Sequence, residues 1–183
     1  INATPVADAP TALESCDSYT LPVLVNGNYF GSTGGLDPLF AGDVITSTQT
    51  IYVFSPGVGS CLDVENSFVV TINHSPVLDI VSDVAICDSY TLPVITGLNI
   101  TSLAAYYTGA NGSGTRYVAG QTINFDSSVT YPITLYVYDE TGTVPNCFSE
   151  SNFEVVINTL SYTAPIDLYS CDDDNDTFSF FDL

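Results

Sequence analysis

The chain has no lysine, and Arg116 is its only arginine among 183 residues. Binding nucleic acid requires a patch of Lys and Arg to displace counterions from phosphate, so nucleic acid is excluded as a partner. An anionic membrane surface is excluded on the same ground. No apolar run approaches the ~18 residues of a membrane-spanning helix, so no membrane insertion is expected. His74 is the only histidine. A nucleophilic Ser or Cys therefore lacks the base it usually needs, and a zinc site lacks nitrogen ligands. No Gly-rich phosphate loop is present. Carboxylate pairs are inevitable among 21 acids and carry no signal for glycoside hydrolysis. The reading is a protein without catalytic residues. The chain opens with neither Met nor a charged segment followed by an apolar one, and so reads as an internal stretch of something longer.

What is present is acid. The net charge is −20. With one basic partner available, the carboxylates must be solvated, hydrogen-bonded to backbone N–H groups, or held by an inorganic cation. Two readings stay open: plain acidic solubility, or a calcium-dependent extracellular protein. Self-repulsion at this charge disfavours compact association and favours extended, soluble arrays.

A repeat organises the sequence. CDSYTLPV at Cys16–Val23 recurs unchanged at Cys87–Val94. AGDVI (Ala41–Ile45) corresponds to AGQTI (Ala119–Ile123), and TIYVF (Thr50–Phe54) to TLYVY (Thr134–Tyr138). Cys61 followed by ENSFVVTIN (Glu65–Asn73) matches Cys147 followed by ESNFEVVIN (Glu150–Asn158). The second copy is longer around Asn99–Gly114 and Asp126–Pro132, lengths that belong in surface loops. Ser170–Cys171–Asp172 opens a third copy. The division is thus 1–78, 79–160 and an incomplete 161–183. The linkers His74–Asp83 and Thr159–Tyr169 each contain a proline and are short enough to restrict the angle between neighbours.

Five cysteines recur with the repeat and match no zinc spacing. They point to disulfides in an oxidising compartment. Without lysine, a Lys–Asn isopeptide cross-link is impossible, and cysteine must do that work. One bridge per unit is the expectation: Cys16 with Cys61, and Cys87 with Cys147. Closing loops of that size stabilises a unit by roughly 4 kcal/mol in the chain-entropy picture. Cys171 is left to a partner beyond Leu183.

The pattern is strand after strand. SFVVTIN and NFEVVIN are β-branched runs bounded by Asn, and TIYVFS and ITLYVYD alternate as half-buried strands do. Asn26–Gly27, between LPVLV and NYF, predicts a two-residue hairpin. Gly34–Gly35 and Asn111–Gly112 mark further turns. No window carries a capped helical period. The fold class is all-β, with tandem immunoglobulin-like sandwiches and one disulfide per domain.

Candidate sites are few. Asp172, Asp174 and Asp176 alternate in a pattern that resembles the start of a calcium loop. Thr177 stands where such a loop has Gly, and Leu183 where it has its bidentate Glu. A looser calcium turn and a solvated acidic turn both fit, and Ca²⁺ is the only candidate cofactor. Asp17 and Asp88 read as turn residues bonded to backbone, and Tyr19 and Tyr90 as core aromatics rather than a sugar platform. The insertion Asn99–Tyr117, with Arg116, is the candidate surface for glycans. Asn-x-Ser/Thr sequons occur at Asn2, Asn73, Asn99, Asn111 and Asn175.

The repeated CDSYTLP, AGDVITSTQTIYVF, the Cys before ENSFVVTIN, and the terminal CDDDNDTFSFFDL resemble repeats of very large surface proteins of flavobacteria and related Bacteroidetes. That class includes gliding-motility adhesins and other cargo of the type IX secretion system. The resemblance implies export across both membranes and display at the bacterial cell surface. The functional expectation is a structural or adhesive repeat segment, an adhesin stalk or filament, whose partners are neighbouring repeats or like subunits. The alternative is a carbohydrate- or calcium-binding accessory module.

Overall fold

The computed structural model describes residues 3–159, and these form strands, turns and loops without a helix. Alternation builds the elements. In β6 (Gln49–Ser55), Ile51 and Val53 are buried between more exposed neighbours, and in β7 (Val64–Asn73) Phe68, Val70 and Ile72 point the same way. Successive side chains on a strand face opposite sides, so this pattern buries one face only. The second copy repeats it, with Leu135 and Val137 in β15 (Ile133–Glu140) and Phe153, Val155 and Ile157 in β16 (Phe148–Asn158).

Each copy folds into a two-layer sandwich. The larger sheet of the first also contains β1 (Leu13–Cys16), β3 (Asn28–Ser32) and β4 (Leu36–Leu39), in the order β1-β7-β6-β3-β4. β1 runs parallel to β7, and the other pairs are antiparallel. The facing layer pairs β2 (Tyr19–Thr20) with β5 (Val44–Ile45). In the second copy, β9 (Val84–Cys87), β12 (Ala105–Gly109) and β13 (Ser113–Tyr117) give the order β13-β12-β15-β16-β9, with β9 parallel to β16. Its facing layer pairs β10 (Ser89–Thr91) with β14 (Thr122–Asn124), and β8 (Val77–Leu78) with β11 (Gly97–Leu98). This is an immunoglobulin-like sandwich twice over. The two apolar cores, one around Ile51, Val53 and Val70 and one around Leu135, Val137 and Val155, have no residue in common.

Two turns follow the repeat closely. Gly35 and Gly112 sit at φ +71° and +63° in the β3–β4 and β12–β13 hairpins, where a Cβ would lie 3.1 and 3.2 Å from the rings of Phe54 and Tyr138. The carboxylate of Glu65 accepts hydrogen bonds from the Thr33 hydroxyl and the Gly34 N–H, and Glu150 accepts one from the Asn111 N–H. Acidic residues are thus spent on backbone donors, one of the outlets the charge imbalance demands.

Three expectations need correction. Asn26–Gly27 closes no hairpin, because β3 pairs with β4 and β6 and not with residues 21–25. Leu21 is buried but Val23 and Val25 are exposed, and this stretch crosses between the layers. The insertion Asn99–Gly114 is not merely a surface loop. It contains β12, whose Ala105 and Tyr106 are fully buried. The division at 78 also falls late, since β8 hydrogen-bonds β11 of the second sandwich, leaving only residues 74–76 between β7 and β8.

Candidate functional site

The junction between the two sandwiches concentrates the chemistry of the chain. β1 ends at Cys16, which lies opposite Asn73, the last residue of β7. Asp17 then turns sharply at φ 60°, a left-handed conformation that Asp tolerates better than most residues. Its N–H donates to the Asn73 carbonyl at 2.9 Å. Its carboxylate reaches into the connecting segment, where the Ser75 N–H donates to Oδ1 at 2.8 Å and the Ser75 hydroxyl to Oδ2 at 2.7 Å. These bonds, the side-chain one foremost, hold the Asp17 carboxyl below the usual carboxylate range. Pro76 is buried, whereas His74 is exposed.

At this junction Cys16 is bonded to Cys147, with 5.6 Å between their Cα atoms and 131 residues between them in sequence. Cys61 and Cys87 are free. This overturns the expected pairs Cys16–Cys61 and Cys87–Cys147, and the geometry says why. β7 has ten residues, a span of about 30 Å at the ordinary rise of a strand. Cys16 sits at its far end and Cys61 before its beginning. The second copy repeats this layout: Cys87 lies opposite Asn158, and Cys147 immediately precedes β16. A disulfide needs Cα atoms within about 7 Å, so neither pair can close inside its own sandwich. Each unit carries one cysteine at each pole, and the bond forms between poles of neighbours. The one-disulfide-per-domain expectation becomes one disulfide between domains.

The remaining sequence candidates sort as follows. Asp88 repeats the Asp17 turn at φ 66°, its N–H donating to the Asn158 carbonyl at 2.9 Å. Tyr19 packs against the first core and Tyr90 against the second, where its ring meets Phe153 at 6.3 Å. Both are core aromatics. Cys171, Asp172, Asp174 and Asp176 lie outside the described residues. Among the described residues, no three His, Cys, Asp or Glu side chains gather in a way that would hold a metal ion.

A groove of about 660 Å³ opens on the second sandwich, lined by Tyr117, Tyr131, Tyr136, Asn124 and Asp126 among others. Tyr117 comes from the insertion that sequence marked for glycans, while Arg116 beside it is exposed and does not line the groove. The other wall comes from the β14–β15 loop, which sequence reasoning passed over as mere length. The signal was there: that loop is the Asp126–Pro132 insertion, and it carries an aromatic. Asp126 is committed within the loop, its Oδ1 accepting from the Ser128 N–H and hydroxyl at 2.8 and 2.7 Å.

No family model and no curated protein matches the chain. Solved structures similar to it include mouse cadherin-23 EC22-24, at 14% identity and TM-score 0.31 over 86% of this chain and 65% of that one. Human mucin-like protocadherin EC1-2 gives 9% and 0.32, over 84% of this chain and 98% of that one. The N-terminal four Ig domains of Dscam1 give 12% and 0.31, over 81% and 43%. The chain therefore spans less than two thirds of the cadherin-23 and Dscam1 fragments. Likeness this distant carries no function.

Proposed function

We propose that this chain is a non-catalytic, force-bearing repeat segment of a large exported surface protein, a stalk or filament in which sandwiches follow one another in tandem. The Cys16–Cys147 bond carries the reading. It encloses everything from β2 to β15, so tension along the chain passes from β1 through the disulfide into β16 and bypasses the strands between them. A catalytic scaffold has no need of such a route, whereas a spacer under tension does. The disulfide supports an oxidising compartment, and the flavobacterial resemblance supports the bacterial cell surface. Neighbouring repeats are its first partners, with contacts running mainly along the array.

Single-molecule stretching from the two termini tests this. With the bond intact, the 131-residue separation stays closed. After reduction, about 470 Å of further contour length becomes extensible, at ~3.6 Å per residue. Equal extension before and after reduction would remove the mechanical reading.

A second reading is favoured by the tyrosine-lined groove: a module for uncharged saccharides, stacked on Tyr117 or Tyr131. The net charge of −20 disfavours acidic glycans. Selective glycan-array binding by the wild-type chain, abolished in Tyr131→Ala, supports this module. No binding to any neutral glycan sinks it.

A further inference from the structure

Among the described residues, the two free cysteines occupy the same places as the two bonded ones. Cys87 ends β9 opposite Asn158 as Cys16 ends β1 opposite Asn73, and each is followed by an Asp with positive φ bonded to the facing Asn carbonyl. Cys61 stands ahead of β7 as Cys147 stands ahead of β16. Exposure differs as an unfilled junction requires. Cys147 is only 2% exposed in the completed junction, whereas Cys61 is half-buried and Cys87 exposed. Lower pole and upper pole of one junction are thus found bonded, and one more of each is left at opposite ends of the pair.

We propose that Cys87 and Cys61 are the two halves of a further junction of the same kind, so that each sandwich is covalently stapled to the next. The occupant of the lower pole at Cys87 is another unit of this repeat, presenting the cysteine that precedes its last long strand. The occupant of the upper pole at Cys61 is a unit presenting the cysteine of a CDSY turn. The inference needs only the repeat and the observed junction, not the mechanical or adhesive reading. Each staple forms when two thiols lose two protons and two electrons to a disulfide donor, which is itself reduced to two thiols. Because upper and lower poles differ and lie at opposite ends of the pair, the contact is head-to-tail and adds units one after another.

The test uses the full chain carrying Cys171→Ser, with a second copy of that chain as the neighbouring unit. Incubation at high protein concentration with oxidised glutathione is followed by non-reducing electrophoresis and disulfide mapping. The expected result is a ladder of multimers whose new linkage is Cys61–Cys87, with Cys16–Cys147 retained in every chain. Adding Cys61→Ser or Cys87→Ser should each abolish species larger than a dimer. The proposal is overturned if both thiols stay open to alkylation. It is equally overturned if Cys61–Cys61 or Cys87–Cys87 is the main linkage, or if the ladder survives in either added variant.

Discussion

The bond from Cys16 to Cys147 ties the end of β1 in one sandwich to the β15–β16 loop of the other, and no residue is shared by the two cores it connects. Its removal should therefore loosen orientation and spare folding. In the double variant Cys16→Ser, Cys147→Ser, β-sheet circular dichroism should be unchanged and both sandwiches should still melt cooperatively. Small-angle scattering should show a broader distribution of overall dimensions, because residues 74–76, the Asp17–Ser75 contact and the Asn99 amide donating to the Ser75 carbonyl then hold the angle without a covalent tie. Loss of sheet signal from either unit would show that the bond supports the sandwiches themselves.

Asp17 is the second restraint at this junction, and its effect depends on pH. Its carboxyl is lowered by the Ser75 hydrogen bonds, that of Asp8 by the Val25 N–H and Asn26, and that of Asp126 by the hydroxyl and N–H of Ser128. A carboxyl lowered in the folded state contributes stability above its unfolded pKa, near 3.9, and loses it as pH falls through the lower folded value. The junction should thus be firm at neutral pH and weaken only below about pH 4. Hydrogen exchange at the Ser75 amide, measured at neutral pH, should speed up in Asp17→Ala. An Asp17→Ala amide as protected as wild type would mean that the carboxylate does not hold the segment.

The repeat also sets up a comparison between equivalent tyrosines. Both Tyr29 and Tyr106 are buried in the central part of their sheets. The Tyr106 hydroxyl donates to the Pro93 carbonyl at 2.9 Å, and burial pushes its pKa up to about 12. The Tyr29 hydroxyl is buried with no hydrogen-bond partner among the described residues. Removing a satisfied buried hydroxyl costs about 1 kcal/mol, while removing an unsatisfied one relieves a desolvation penalty. Tyr106→Phe should lower the melting temperature of its sandwich, by roughly 4–8 °C for a unit of this size. Tyr29→Phe should leave its sandwich unchanged or raise its melting temperature. Two equal losses in calorimetry would contradict the difference in bonding.

Strand content, the duplication and the inward faces were legible because period-two alternation is written directly into TIYVF and ENSFVVTIN. The cysteine pairing was not. Sequence shows that Cys16 and Cys61 belong to one repeat, but not that β1 runs parallel to β7 and places them at opposite poles. Parallel pairing of a first strand with a last strand is a long-range property that local pattern does not encode. The Asn26–Gly27 dipeptide misled for a related reason. It has hairpin chemistry, yet the chain there passes between layers, and tertiary packing outweighs a two-residue preference. The groove was half visible: its aromatics could be read, but their convergence from two separate insertions could not.

The longer second copy raises the question of what anchors its extra length, and Asp139 answers it. This is the one fully buried charged residue among the described residues, at the position where the first repeat has Ser55. Its carboxylate accepts from the Thr101 N–H at 2.8 Å, the Thr101 hydroxyl at 2.5 Å and the Glu140 N–H at 2.9 Å. The Thr101 hydroxyl oxygen in turn accepts from the Leu103 N–H at 3.0 Å. A single side chain thereby fixes the path that delivers residues 99–104 to β12. Hydrogen bonds to a charged group contribute roughly 1.5–3 kcal/mol each, and truncation strands the donors. Asp139→Ala should therefore destabilise the second sandwich by about 3 kcal/mol or more. Thr101→Val, which keeps the backbone donor, should cost less. In calorimetry the first sandwich should keep its transition in both variants, since its core contains neither residue. If Asp139→Ala melts with wild type, the insertion is held by something other than this carboxylate.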